Sequence, residues 1–380
     1  MRKFKVIKQH LLYNLSKLTF GASLADSMIF GYGTISPQKY RKCRSRIKRI
    51  AAECNKPAEA PDVSRQFDIT TVVPVQAPLA LISQIQRSGG SLLSQLFDGH
   101  PQIHAHPNEL KIGYPKKYYW PKINLADRPE RWFYLLFEDI VLKHAKEGLK
   151  KGRKADKTHP FVFRPNLQKK IFLQYVSAAV PLRLRDVFDG YMTSYFNAWR
   201  NNVNLQGEPK RYVTAFTPRM AMWPENMDHF CTIYPDGKLI SVVRDPKNWF
   251  PSASRHRTND YGDVAKALDQ WKDSGKAMIR NKAAMAGNAC ILRFEDLIGK
   301  TEAVMRYLSD FLNIEFDDIL LTPTFNRSAI SPNTSFTLEK PKIIESTLYR
   351  YKTLPVEQLK MIESRTSDLY GTVLDRAVRF

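Results

Sequence analysis

The sequence predicts an α/β protein, a three-layer fold in which helices flank both faces of a central parallel sheet. Three observations carry that expectation. Ala77-Pro78-Leu79-Ala80-Leu81-Ile82-Ser83-Gln84-Ile85 is a short apolar run that leads into a turn at Gly89-Gly90 and reads as a buried strand. Lys238-Leu239-Ile240-Ser241-Val242-Val243 is a second such run, turned by Arg244-Asp245-Pro246 into a segment rich in helix formers. Ala289-Cys290-Ile291-Leu292 is a third, ending at Arg293-Phe294-Glu295-Asp296-Leu297. After the first strand, Ser91-Leu92-Leu93-Ser94-Gln95-Leu96-Phe97 has helical spacing and stops at Asp98-Gly99-His100-Pro101, a glycine-then-proline termination. After the third, positions 302–312 read as a helix. Strands separated by helices of this length pair in parallel and are covered on both sides.

Length and composition bound the rest. The chain has 380 residues, 43% hydrophobic and 25% charged, which excludes disorder and fibrous repeats as its main theme. No window reaches the ~18 uncharged apolar residues that a bilayer span needs. The basic start Met1-Arg2-Lys3-Phe4-Lys5 is followed by Lys8, His10 and Lys17 rather than by a compact apolar core, so no signal peptide is expected. Cys43, Cys54, Cys231 and Cys290 are scattered without C-x-x-C spacing. A thiol-reducing compartment, the cytoplasm, is expected, and a structural zinc site is not.

Charge is the loudest signal. Lys and Arg number 59 against 37 Asp and Glu, a net +22. Such an excess calls for an anionic partner and leaves nucleic acid, anionic lipid, acidic glycan and phosphorylated cofactor all open. Lys39, Arg41, Lys42, Arg44, Arg46, Lys48 and Arg49 form a dense run, either a solvated helix face or a patch giving peripheral membrane contact. Residues 1–75 are expected to be a basic, helical N-terminal extension: an amphipathic stretch over 4–20, a break at Gly31-Tyr32-Gly33, the basic run, and a linker over 56–61. The α/β domain then covers 76–380, with an aromatic and basic insertion over 115–210. Its Tyr118, Tyr119, Trp120, Trp132, Phe133, Tyr134, Tyr191, Tyr195, Phe196 and Trp199 are either the wall of a substrate pocket or a subdomain core.

The turn Gln86-Arg87-Ser88-Gly89-Gly90-Ser91 is the informative motif. Small residues after a parallel strand let successive backbone N–H groups converge on a tetrahedral anion, and the following helix adds its positive end. Arg87 supplies charge; Ser88 and Ser91 supply hydroxyls. The motif lacks the upstream glycine and the Gly-Lys pair of a nucleoside-triphosphatase loop, which argues against ATP hydrolysis.

With these residues in view, the sequence resembles the sulfotransferases that use 3′-phosphoadenosine 5′-phosphosulfate. Their loop is typically P-[K/R]-S-G-T-[T/S], matched here with Gln86 for Pro and Gly90 for the first Thr, and His100-Pro101 stands in the usual place. Their second signature is a strand, then R-[D/N]-P with a serine eight residues after the arginine; here it is Arg244-Asp245-Pro246 with Ser252, after the lead-in Tyr234-Pro235-Asp236-Gly237-Lys238. Arg293-Phe294-Glu295-Asp296-Leu297 is similar to the family's [Y/F]-E-D-L element. Residues 326–336, with Asn333-Thr334-Ser335-Phe336, resemble its late nucleotide-covering segment.

The resemblance implies a P-loop-like fold over roughly residues 77–370 and an enzyme that moves a sulfuryl group from that nucleotide, a co-substrate, to a hydroxyl or amine of a carbohydrate, lipid or related metabolite, with no metal and no nucleic-acid partner. It implies a donor site at Arg87, Ser88, Gly89, Gly90, Ser91, Leu92, Arg244 and Ser252, with Arg87 also catalytic, against the bridging oxygen. Glu109 resembles the family's base, which carbohydrate and tyrosine sulfotransferases place after the loop; His104, His106 and His256 are imidazole alternatives. Leu92 replaces the tryptophan of cytosolic phenol and steroid members, Phe294 the tyrosine of Y-E-D-L, and Phe216 the lysine of a K-T-P-R-like element at Phe216-Thr217-Pro218-Arg219. These departures point toward bacterial-type members. The alternatives are a P-loop nucleotide-binding, kinase-like protein and a basic RNA-binding protein, which lack respectively the Walker lysine and a recognisable RNA module.

Overall fold

The computed structural model describes residues 37–55, 71–112, 119–148, 159–330 and 345–380. The chain divides into two units, Met1–Gln76 with Lys111–Asn202, and Ala77–Leu110 with Val203–Phe380.

In the second of these, strands β1 (Leu79–Ile82), β2 (Ile103–Glu109), β3 (Tyr212–Phe216), β4 (Lys238–Val243) and β5 (Ala289–Arg293) form one sheet in the order β2-β3-β1-β4-β5. Every pairing is parallel. The expected strand at 77–85 is shorter than its apolar run, since the chain turns toward the loop after Ile82. Two strands that no apolar run announces, β2 and β3, complete the sheet.

The helices α1 (Gly90–Leu96), α2 (Pro246–His256), α3 (Val264–Met285), α4 (Thr301–Leu312) and α5 (Val356–Leu374) cover it. Alternation along the strands sorts the layers. Ile240 and Val242 of β4 join Leu93 and Leu96 of α1 and Leu308 and Leu312 of α4 in one apolar cluster. Val243 and Ile291 join Trp249 of α2, Trp271 of α3 and Ile362 of α5 in another. Local chemistry sets the helix starts: Pro246 opens α2 beside the Asp245 cap, whose carboxylate accepts from Lys247 N at 2.8 Å, and Asp263 caps α3 from Lys266 N. Beyond α5, Val378 N donates to Ile291 O at 2.9 Å, and the Phe380 ring meets Tyr307 edge-on at 5.8 Å.

The other unit is helical: Pro37–Cys54, Pro129–Leu136, Ile140–Glu147, Pro165–Ala178 and Leu184–Ala198. Most of the named rings of the aromatic insertion pack inside this unit. Trp120, Trp132, Phe133, Tyr191, Tyr195 and Trp199 are all buried, with Tyr195 against Phe163 and Phe133 against Phe172; these rings are the core of a small helical unit. Tyr119 is exposed, and Tyr118 lies outside the described residues. The basic run is likewise not a uniform solvated face. Arg46 is buried, donating to the carbonyls of Tyr134 and Phe137, and Arg49 pairs with Asp139 at 2.7 Å. The stretch 4–20, the break at 31–33 and the linker at 56–61 lie outside the described residues. Among the described residues no helix is long and apolar enough to cross a membrane.

Candidate functional site

The candidate residues lie on the carboxyl edge of the parallel sheet: Arg87 to Leu92 after β1, Glu109 at the end of β2, Arg244 after β4, and Ser252 within α2. The strand order reverses beside β1, which has β3 on one side and β4 on the other. Open α/β sheets bind ligands at such a switch point.

The loop after β1 is anchored at its first residue. Gln86 O accepts from Trp249 Nε1 at 2.8 Å, and Gln86 Oε1 accepts from Tyr261 OH at 2.6 Å. Arg87 (φ 70) and Gly89 (φ 97) both take the left-handed conformation, the backbone geometry of anion-binding concavities. Ser88 is buried, and its Oγ has no partner among the described residues, a costly arrangement that an anion oxygen relieves. Ser91 is partly exposed. The Leu92 side chain packs in the core, so what it offers a phosphate is its backbone N–H.

Both glycines are tightly surrounded. A Cβ on Gly89 would lie 2.6 Å from Phe294 Cδ2, and one on Gly90 would lie 2.3 Å from both Gln84 Nε2 and Phe216 Cε2. Gly89→Ala therefore combines a left-handed alanine with a clash against a buried ring, a loss of about 2 kcal/mol. We expect a lower melting temperature and weaker anion binding in thermal denaturation and calorimetry of this variant.

The second motif meets the first directly. Arg87 Nε donates to Ser252 Oγ at 3.3 Å, and Arg244 Nη1 donates to Arg87 O at 3.1 Å. Arg244 is buried, with its guanidinium 4.3 Å above the Phe294 ring and its carbonyl held by Trp271 Nε1 at 3.1 Å. The F-E-D-L element thus supports the site from below, Glu295 Oε1 also accepting from Asp245 N at 3.1 Å. Burial, then the like charge of Arg350, lowers the Arg244 pKa; burial lowers that of Arg87.

Arg350, which no motif announces, stands near the candidate residues. Tyr351 N donates to Asn248 Oδ1 of α2 at 3.2 Å, which docks its segment beside the second motif. Burial, then Arg87 and Arg255, lower the Arg350 pKa. Guanidiniums crowded in this way gain from a polyanionic ligand.

Glu109 pairs in register with Phe216 beyond a bulge in β2. It stands two strands from β1, about 10 Å across the sheet. The histidine alternatives are placed differently. His104 pairs with Val213, below the carboxyl edge; it is buried, and burial with Lys210 nearby pushes its pKa to about 3, which leaves a weak proton acceptor near neutral pH. His106 is buried with Nδ1 2.9 Å from Asn108 O. His256 is exposed at the end of α2. His100 is structural: its Nδ1 accepts from Gln102 N at 3.1 Å, and its Nε2 donates to Glu315 O at 2.9 Å. Residues 333–336 of the late segment lie outside the described residues. Among the described residues no group of three or more His, Cys, Asp or Glu is placed to hold a metal ion.

A family model described as the sulfotransferase family matches residues 78–318, more than half of the chain. Among solved structures, the chain is similar to the sulfotransferase domain of the Synechococcus PCC 7002 olefin synthase (19% identity, 81% of this chain and 98% of that one, TM-score 0.46). It is also similar to the sulfotransferase domain of the curacin biosynthetic pathway (19%, 77% and 97%, TM-score 0.43) and to a sulfotransferase from Mycobacterium avium (12%, 94% and 95%, TM-score 0.41). Comparison with curated proteins finds no match. The chain belongs to the sulfotransferase family. It is an enzyme of sulfuryl transfer, and the resemblance to sulfotransferases that use 3′-phosphoadenosine 5′-phosphosulfate is borne out for family, fold and enzyme class.

Proposed function

We propose that this enzyme transfers a sulfuryl group from 3′-phosphoadenosine 5′-phosphosulfate to a hydroxyl, or an amine, of a carbohydrate, lipid or related metabolite. The observation that carries the donor assignment is the joining of the two loops through Arg87–Ser252 and Arg244–Arg87. One continuous cationic seat of this kind suits a nucleotide with anionic groups at both ends. The residues present fit that donor: Ser88 has a buried, unpartnered hydroxyl, and Gly89 and Gly90 leave backbone room that no Cβ permits.

When bound, the donor supplies an activated SO3 group on a phosphate leaving group. Arg87, Ser88, Ser91 and the amides of residues 88–92 hold the phosphosulfate end, and Arg87 steadies the charge that develops on the bridging oxygen. Arg244 and Ser252 hold the 3′-phosphate, with Arg350 beside them. Glu109 takes the acceptor's proton as its oxygen or nitrogen attacks. The cytoplasm is the proposed compartment, supported by the free thiols of Cys54, Cys231 and Cys290.

Calorimetric titration of the full chain with adenosine 3′,5′-bisphosphate tests the donor assignment: saturable one-to-one binding is expected, and its absence would refute it. A radiolabelled-sulfate transfer screen against carbohydrate and lipid fractions then tests the acceptor class.

A further inference from the structure

The peptide unit that joins Arg244 to Asp245 is held by side chains at both of its polar atoms. Trp271 Nε1 of α3 donates to Arg244 O at 3.1 Å, and Asp245 N donates to Glu295 Oε1 at 3.1 Å. Parallel pairing brings this about. Val243 of β4 stands opposite Arg293 of β5, so residues 244–245 leave the sheet beside residues 294–295. Phe294 then lies under the Arg244 guanidinium at 4.3 Å, and Glu295 takes the backbone.

The place of this peptide matters to both residues assigned to the 3′-phosphate. Arg244 precedes it directly. Asp245 caps α2, its carboxylate accepting from Lys247 N at 2.8 Å, and Ser252 follows on that helix. A rotation of the 244–245 peptide therefore swings the guanidinium at its root and tilts the start of the helix that carries the hydroxyl. Groups of this kind bind well only when held within about 0.5 Å of their productive places.

Glu295 is nevertheless an anion beside a seat for anions, and its charge alone opposes a phosphate. Its second oxygen, Oε2, is buried without a hydrogen-bond partner among the described residues, so the bond to Asp245 N is made by Oε1 alone. What the side chain gives the site is an acceptor at a fixed place rather than a charge. We propose that Glu295 is a positioning residue of the 3′-phosphate seat: through its bond to Asp245 N it sets the direction in which Arg244 and Ser252 are presented to the nucleotide. This rests on the donor assignment above and adds to it a residue that touches no ligand atom.

Two variants of the full chain separate reach from charge. Glu295→Asp keeps the charge but withdraws the acceptor by one methylene, whereas Glu295→Gln gives up the charge and keeps a carbonyl oxygen at the same reach. The probes are adenosine 3′,5′-bisphosphate and adenosine 5′-monophosphate, which differ by the 3′-phosphate. Glu295→Asp is expected to weaken equilibrium binding of the bisphosphate about tenfold while binding of the monophosphate stays within about twofold. Glu295→Gln is expected to hold the bisphosphate within about threefold of wild type. Bisphosphate binding like that of wild type in Glu295→Asp, or an equal loss of both nucleotides there, would overturn the proposal. A larger loss in Glu295→Gln than in Glu295→Asp would overturn it too, by making charge the property that counts, as would unfolding of both variants. Wild-type protein that binds neither nucleotide, or that binds both equally, would instead refute the donor assignment itself and the proposal with it.

Discussion

Arg244→Ala is expected to weaken binding of adenosine 3′,5′-bisphosphate at least a hundredfold, the loss of about 3 kcal/mol that removing a buried charged partner produces. Calorimetry on the full chain reads this directly. Folding stability should move far less. Burial and the neighbouring guanidinium of Arg350 already disfavour the charged form of Arg244, so its removal relieves a cost while losing the bond to Arg87 O and the contact with Phe294. Arg244→Lys should not restore binding, since a lysine cannot present a planar fork while lying over a ring. Bisphosphate binding like that of wild type in Arg244→Ala would move the 3′-phosphate seat elsewhere.

Glu109→Gln is expected to reduce turnover by about 10² to 10⁴, the usual worth of a positioned general base, while bisphosphate affinity holds within about twofold. The separation follows from the sheet: Glu109 ends an edge strand, with β3 between it and the loop after β1. Steady-state rates on any acceptor found by the sulfate-transfer screen, set beside calorimetry, check both halves. Unchanged turnover would remove Glu109 from the role. His104 would not inherit it, because its buried imidazole resists accepting a proton and lies below the carboxyl edge.

Much of the fold was legible in particular residues. β1, β4 and β5 are short, apolar and followed by turn residues, as strands buried on both faces must be. β2 was not legible: Ile103-His104-Ala105-His106-Pro107 carries two histidines and a proline and reads as loop, yet it forms an edge strand with a bulge, where proline is tolerated. β3 escaped notice because Tyr212–Phe216 is brief and follows a long irregular stretch. The site divides in the same way. Arg244 and Ser252 are close in sequence, so their spacing is visible. The Arg87–Ser252 bond spans 165 positions and exists only because β1 pairs with β4. Arg350 gives no local pattern, since only the docking of its segment beside α2 brings it forward. The aromatic insertion was ambiguous for a simpler reason, that rings suit a pocket wall and a protein core equally well.

The strand-like hydrogen bond from Val378 to Ile291 has a practical consequence for handling the enzyme. It occupies an outer rim of the sheet whose bare amides and carbonyls would otherwise offer a template to a neighbouring molecule. Trimming the last few residues would uncover that rim and invite copies to add strand upon strand, so shortened variants should gel or precipitate well before they unfold.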